Sequence, residues 1–251
     1  MTMSAASFQS KHRTVAFCDL FLGGRESAER LVSVGPVPPA TRDSLNEEGI
    51  GERKQFGSKA LRGEGAPRVA MLGFGNIRRD GTISFPDEPT LPYGPKVHDY
   101  VVRPGDILFR NRGYVGTEKV SVAAYVDRED LNLALRSLKS PANEGCFVFN
   151  SSLFRIRLQD GVNDAPLVDP EYLAAYINSS QAQRYLTKHN QGMVITGIKK
   201  KDLLDLPVAL PPLSEQKQLV QLIRAQAEYA RVSARLGECY GLLANHSFNR
   251  S

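Results

Sequence analysis

Residues 191–223 read QGMVITGIKKKDLLDLPVALPPLSEQKQLVQLI, and this stretch predicts the boundary between two kinds of structure. The short apolar run 203–210 is closed by the Pro-Pro pair 211–212, because proline has no amide hydrogen and a fixed φ. Ser214 then stands in the position of an N-cap, with Glu215 well placed near the positive end of a helix dipole. We therefore expect a compact domain to end here and a long helix to begin.

The predicted helix runs from about Ser214 to about Leu243, and Gly237 is its main weak point. Such a helix would be roughly 45 Å long, which is more than a domain of this size covers. We expect it to pack against another helix, such as its own copy; the alternative is that it folds back onto the same domain. Its apolar and small residues follow a heptad-like spacing and form the predicted stripe Leu219, Ile223, Ala227, Ala230 and Ala234.

The sequence before this boundary predicts a β-rich domain with packed helices. Strand-like runs occur at 69–74, 97–102, 106–110, 119–126 and within 146–158. The pair Asp80-Gly81 is typical of a hairpin turn. Asp169 followed by Pro170 predicts the start of a helix that continues to about Leu186.

Two earlier stretches are of different character. Residues 14–22 are apolar enough for a short strand or a helical turn, whereas 25–68 are rich in glycine, proline, glutamate and arginine. The second stretch predicts a long solvated loop, either functional or a disordered insert. Together the patterns predict an α+β fold. It has a flexible tail (1–13), a β-rich domain with packed helices (14–212), and a long coiled-coil-like helix with its tail (213–251).

Composition limits the function without deciding it. The 251 residues carry a net charge of +5 and a pI near 9.1, which favours polyanionic partners only weakly. Cys18, Cys146 and Cys239 are far apart and odd in number, so we expect no disulfide framework and a reducing cytoplasm. There is no apolar run of the length a membrane helix needs and no secretory signal pattern at the start.

The residue patterns of common catalytic sites are missing from the sequence. The four histidines are scattered and have no metal-ligand spacing with cysteine, and there is no GxxxxGK[ST] phosphate loop. A nuclease would need clustered acids, but Asp87 and Glu215 are separated by a whole predicted domain. The Pro-Pro pair 211–212 is flanked by leucines, which offer an amino-methylating enzyme no polar group. We expect no catalysis and no cofactor.

Two stretches resemble one known family. RPGDILFRNRGYVGTEKVSVA at 103–123 resembles a hairpin of the target recognition domains in type I restriction-modification specificity subunits. Residues 172–220 are similar to the end of such a domain and the start of that family's spacer helix. The resemblance implies a subunit without catalysis that binds one half of a split DNA sequence. It also implies methyltransferase subunits held by the helices and, in some complexes, a restriction subunit.

This chain departs from the usual pattern, in which two recognition domains alternate with two spacer helices. It carries one of each, so it is either a half-subunit or a piece of a longer chain. Two half-subunits would pair through the long helix, and a symmetric dimer would recognise an interrupted palindrome. The target sequence is not readable from the residues alone.

The candidate DNA-binding residues combine base readers with phosphate binders. Arginine pairs bidentately with guanine and asparagine with adenine, while lysine suits phosphates. The predicted set is Arg110, Asn111, Arg112, Tyr114, Arg78, Arg79, Lys188, Thr196, Lys199 and Lys200. For residues 110–114 the alternative is a hairpin turn with solvated charges, and for the lysines it is a solvated face. Two other functions stay open: a metal-dependent nuclease on a specificity-like scaffold, and a helix-mediated assembly protein that does not bind DNA.

Overall fold

The computed structural model describes residues 13–21, 24–35, 68–89, 91–92, 99–114, 121–138, 146–158, 168–189 and 195–248. The chain divides into two compact units, Met1–Leu210 and Pro211–Ser251. The predicted tail, up to residue 12, and most of the predicted loop, at 36–67, lie outside the described residues.

The N-terminal unit is built from short strands and helices. Its strands are β1 (Arg13–Ala16), β2 (Val32–Val34), β3 (Arg68–Leu72), β4 (Leu91–Pro92), β5 (Ile107–Arg110), β6 (Arg112–Tyr114), β7 (Ala123–Tyr125), β8 (Cys146–Phe149), β9 (Leu153–Ile156), β10 (Ile195–Gly197) and β11 (Pro207–Leu210). Its helices are α1 (Gly24–Leu31), α2 (Arg128–Ser137), α3 (Pro170–Ile177), α4 (Ser180–His189) and α5 (Lys200–Leu204). The C-terminal unit contains α6 (Leu213–Phe248). This mixture of strands and helices, followed by a long helix, is the predicted α+β fold.

The central sheet has the strand order β2-β9-β5-β7, and all of its neighbours are antiparallel. A second sheet, β4-β3-β8, contains one parallel pair, β3 with β8. Phe109 of β5 stacks on Phe154 of β9, while Leu108 joins a separate core cluster with Phe147 and Phe149. Neighbouring residues of β5 are therefore buried on opposite faces, as expected for a strand covered on both sides.

A buried carboxylate paired with an arginine stabilises the RPGD turn before β5. Gly105 has a φ of +89°, a conformation that glycine adopts without strain. Asp106 is 1% exposed and accepts hydrogen bonds from Arg157 Nε at 2.6 Å and Arg157 Nη2 at 2.7 Å. The backbone N–H of Arg103 donates to the same carboxylate at 2.8 Å. Asp106 therefore serves the fold, because its oxygens are occupied inside the domain.

The predicted helix from Pro170 to Leu186 is in fact two helices. Asn178 ends the first, and its side-chain amide pairs with the backbone of Ala123 in β7, accepting at 2.9 Å and donating at 2.7 Å. The hydroxyl of Ser179 then accepts a hydrogen bond from the backbone of Ala182. The helix is interrupted because Asn178 bonds to a neighbouring strand, a long-range contact that helical periodicity does not reveal.

Two other predictions need correction. The loop predicted at 25–68 begins with α1 and β2, whose Ala28 and Val32 are fully buried, and β2 pairs with β9. A strand predicted at 97–102 is wrong in its described part, because residues 99–100 form a helical turn and Val101 makes only a single bridge to Val148. In the first segment buried residues are few, so the local pattern is weak. In the second an apolar pattern is present, but a strand also needs a partner strand, which local sequence does not supply.

Candidate nucleic-acid interface

Two distant segments of the predicted site pair as one antiparallel ribbon. Strand β6 carries the arginine motif and β10 precedes the lysine triplet, and their register places Arg112 opposite Gly197, Gly113 opposite Thr196, and Tyr114 opposite Ile195. The backbone N–H of Ile198 donates to the carbonyl of Asn111 at 2.9 Å. We call this pair the β6–β10 ribbon. It brings the backbones of Tyr114 and Thr196 and the motif residue Arg112 into one element.

The side chains of residues 110–112 have different environments, as expected for an extended segment. Arg112 is exposed, whereas Asn111 is only 8% exposed. The side-chain amide of Asn111 donates to the carbonyl of Ser151 at 2.9 Å, and its backbone N–H donates to the carbonyl of Ser152 at 3.1 Å. Arg112 is therefore available to a ligand, while Asn111 fixes the start of the ribbon to the turn between β8 and β9.

Arg110 is held against a neighbouring segment. Its guanidinium carbon lies 3.5 Å from the centre of the Phe74 ring, and its Nη1 donates to the carbonyl of Ile77 at 3.3 Å. The guanidinium thus makes a cation–π contact and a backbone hydrogen bond within the domain. Phe74 was not predicted as part of the site, because no local pattern links it to Arg110.

Arg78 and Arg79 lie on a tight turn that we call the 77–83 hairpin. Ile77 bridges Ile83, and the N–H of Arg78 donates to the carbonyl of Thr82 at 2.9 Å. This confirms the turn predicted at Asp80-Gly81. Both arginines are exposed.

The acidic residue of this turn is bonded locally. One carboxylate oxygen of Asp80 accepts from the backbone N–H and the hydroxyl of Thr82, at 2.9 and 2.7 Å. Burial raises the pKa of Asp80, but the hydrogen bonds from Thr82 and the nearby charge of Arg78 outweigh burial and leave the pKa lowered. Asp80 is therefore ionised near neutral pH and stabilises the turn.

The lysine triplet divides into exposed and bound members. Lys199 and Lys201 are exposed at the start of α5, two and four residues beyond the ribbon. The Nζ of Lys200 instead donates to the backbone carbonyl of Glu29 in α1. Burial lowers the pKa of Lys200, and the charge of Glu29 opposes that shift. Lys188 is exposed in the last turn of α4, and no described contact links it to the ribbon.

The long helix α6 exposes its side chains from residue 221 to residue 242. In the predicted stripe, Leu219 is half-buried, whereas Ile223 and the three alanines are exposed. A second line on the helix includes larger apolar side chains and has spacings of three, four, three, four and three: Leu222, Ala225, Tyr229, Val232, Leu236 and Cys239. We call this line the 222–239 seam. It has the heptad spacing of a coiled coil and lies on roughly the opposite side of the helix from the predicted alanines.

The described residues contain neither a metal-binding cluster nor a membrane-spanning helix. No group of three or more His, Cys, Asp or Glu there could hold a metal ion. No helix in the same part of the chain is both long and apolar enough to cross a membrane. The three cysteines are free thiols.

Comparison with known families identifies a matching domain model. The model of the type I restriction modification DNA specificity domain matches residues 93–225, just over half of the chain. The chain belongs to this family. The matched range contains both strands of the β6–β10 ribbon and the first part of α6. Both segments that carried the resemblance, 103–123 and 172–220, lie within it.

Solved structures of the same kind are similar over part of their length. An HsdS subunit from Thermoanaerobacter tengcongensis is 20% identical, with a TM-score of 0.47, over 68% of this chain and 39% of that one. A structure describing complex assembly and conformational transition of the type I R-M system is 17% identical, with a TM-score of 0.44, over 95% of this chain and 43% of that one. The chain thus spans less than half the length of either. No curated protein gave a match.

Proposed function

We propose that this protein is a non-catalytic DNA specificity subunit of a type I restriction-modification system, acting in the cytoplasm. Its N-terminal unit binds one half of a split target sequence. The observation that carries the proposal is the β6–β10 ribbon, which joins the two segments of the family motif into one element. A two-stranded ribbon is narrow enough to enter the major groove of DNA.

Exposed cations around the ribbon supply two kinds of contact. Arg112 is on the ribbon itself and has the fork geometry that pairs with guanine. Lys199 and Lys201 begin α5 just beyond the ribbon, and point charges of this kind suit phosphates. Asn111 and Lys200 serve the fold, because their side chains are already bonded to backbone carbonyls.

We propose that the 222–239 seam pairs with a second copy in antiparallel orientation. In that arrangement each layer joins one large and one smaller side chain: Leu222 with Cys239, Leu236 with Ala225, and Tyr229 with Val232 of the second copy. A parallel pair would instead place two Tyr229 rings together and leave two Ala225 side chains facing each other. Close packing favours the antiparallel dimer because interiors tolerate neither voids nor overlaps.

Charge supports the same register. When Tyr229 faces Val232 of the second copy, the flanking Glu228 lies beside Arg235 of that copy, and symmetry forms this pair twice. In a parallel dimer Glu228 would meet Ser233 and Arg235 would meet Tyr240. Glu228 already pairs with Arg231 within the helix at 2.7 Å, but both side chains are exposed, so exchange of partners costs little.

The remaining partners follow from the family. Two recognition domains in a symmetric dimer would read an interrupted palindrome, and the helices would hold methyltransferase subunits and, in a full complex, a restriction subunit. A chain that is one piece of a longer subunit would make the same contacts within one polypeptide.

The decisive experiment is selection of duplexes from a randomised library by the full chain, with and without its methyltransferase. We expect enrichment of a split sequence, palindromic if the dimer forms. Failure to bind any duplex at low salt with the methyltransferase present would favour the assembly protein. Cleavage of DNA by the purified chain with Mg²⁺ alone would establish the nuclease.

A further inference from the structure

We infer that Arg110 is a positioning residue for DNA binding: it holds the 77–83 hairpin beside the β6–β10 ribbon so that Arg78 and Arg79 reach the sugar-phosphate backbone. The inference rests on the proposed function and adds a second contact element to it. Arg110 itself does not touch DNA.

Two contacts of the Arg110 guanidinium reach one short segment. The guanidinium lies over the ring of Phe74, in the turn that leads into the hairpin. It also donates a hydrogen bond to the carbonyl of Ile77, the first residue of the hairpin. Arg110 is the last residue of β5, one position before Asn111 and two before the exposed Arg112. A single side chain therefore connects the base of the hairpin to the strand that continues into the ribbon.

The base of the hairpin is closed by hydrogen bonds of its own. Asn76 Oδ1 accepts from the backbone N–H of Gly73 at 2.8 Å, and Asn76 Nδ2 donates to the carbonyl of Ser84 at 2.8 Å. The backbone N–H of Phe74 donates to Ser152 Oγ at 2.8 Å. Because these bonds tie residues 73–84 into one unit, a displacement of Phe74 would displace the arginines with it.

The tip of the hairpin lies against Asn178 and Ala123. Gly81 has a φ of +87°, and a Cβ there would lie 3.1 Å from Asn178 Nδ2 and 3.2 Å from the carbonyl of Ala123. The hairpin is thus fixed near Arg110 at its base and near Asn178 at its tip. A hairpin whose backbone is already fixed loses little freedom on binding, which is the advantage of a preorganised contact.

The surface of the hairpin suits an anion. Arg78 and Arg79 are adjacent and exposed, while the carboxylate of Asp80 is occupied by Thr82. These two guanidiniums add to the positive charge that Arg112 supplies on the ribbon. Phosphate contacts position a protein on DNA without specifying the bases.

The test is a set of binding measurements on one selected duplex over a range of salt concentrations. The variants are Arg110→Met, Phe74→Leu, the double variant Arg78→Gln/Arg79→Gln, and that double variant combined with Arg110→Met. We expect Arg110→Met to weaken binding by about tenfold, roughly the loss of one to two phosphate contacts. In the Arg78→Gln/Arg79→Gln background the same change should have no further effect.

Phe74→Leu separates positioning from charge, because it removes no cation yet should lower both affinity and the salt dependence. Thermal melting shows whether Arg110→Met folds. If it does not, Phe74→Leu still tests the inference. An equal loss from Arg110→Met in both backgrounds, or an unchanged salt dependence in Phe74→Leu, would overturn the inference while leaving the proposed function intact. A wild-type chain that binds no duplex would overturn both.

Discussion

Asp106 and Arg157 form a bidentate pair with N···O distances of 2.6 and 2.7 Å. The acid is almost fully buried, whereas the side chain of Arg157 is 27% exposed. The pair joins the turn before β5 to the residue after β9, the two strands at the centre of the main sheet. The ion pair therefore helps to hold β5, the strand that continues into the ribbon, in place.

Removing one member of this pair should destabilise the protein. We expect Asp106→Ala to lower the free energy of unfolding by about 3 kcal/mol, because Arg157 would keep a partly buried charge without its partner. Urea unfolding should show an earlier midpoint with an unchanged slope. The matched control Asp130→Ala removes an exposed carboxylate and should cost under about 1 kcal/mol. Equal losses in the two variants would contradict the structural role of Asp106.

Gly35 lies where the end of β2 meets a neighbouring turn. A Cβ at this position would come within 2.3 Å of the backbone carbonyl of Asn150 and 2.6 Å of that of Phe149. Backbone atoms cannot swing aside, so Gly35→Ala should cost at least about 2 kcal/mol. Gly75→Ala is the control, since a Cβ there meets nothing within 4 Å. Thermal unfolding of both variants tests the prediction, and similar melting temperatures would refute it.

The lysine triplet should separate into binding and structural members. Lys199→Gln should weaken binding equally on all duplexes and reduce the salt dependence by about one contact. Lys200→Gln should leave the salt dependence unchanged, since its ammonium group is bonded to the carbonyl of Glu29. Binding titrations at several salt concentrations distinguish the two. A reduced salt dependence in Lys200→Gln would show that Lys200 turns outward onto DNA.

Arg112→Ala should change which sequences are bound. If its guanidinium pairs with guanine, the variant should lose roughly 1–3 kcal/mol of discrimination at one position of each half-site. Repeating the library selection with this variant measures that loss directly. An unchanged preference accompanied by uniformly weaker binding would reassign Arg112 to the phosphates.

The orientation of the helix dimer can be read by cysteine cross-linking. An antiparallel seam places Cys239 beside residue 222 of the second copy, so Leu222→Cys should cross-link to the native Cys239 on mild oxidation. The two native Cys239 thiols would be roughly 25 Å apart, at 1.5 Å of helix per residue, and the unsubstituted chain should stay uncross-linked. Leu222→Cys combined with Cys239→Ser is the control. Cross-linking of the wild-type chain or of this control would indicate a parallel dimer.

Local patterns were sufficient where neighbouring residues decide the structure. The end of β11, the start of α6 and the turn at Asp80-Gly81 were all predicted, because proline geometry, helix capping and glycine conformation act over a few residues. The helix break at Asn178 was not predicted, because its cause is a bond to Ala123 of a distant strand. Heptad spacing alone fits both the predicted stripe of small residues and the 222–239 seam, so the sequence pattern does not choose between them.

The sequence by itself determined the fold class, the long helix and the two motif segments, because periodicity and turn preferences depend on residues that are close together in the chain. Only the tertiary structure decided which motif side chains face outward. Arg112 is exposed, whereas the adjacent Asn111 bonds to a backbone carbonyl. In the same way Lys199 is exposed, whereas the adjacent Lys200 bonds to a backbone carbonyl. The carbonyls that bind them belong to Ser151 and Glu29, and contacts between such distant residues form only when the domain folds.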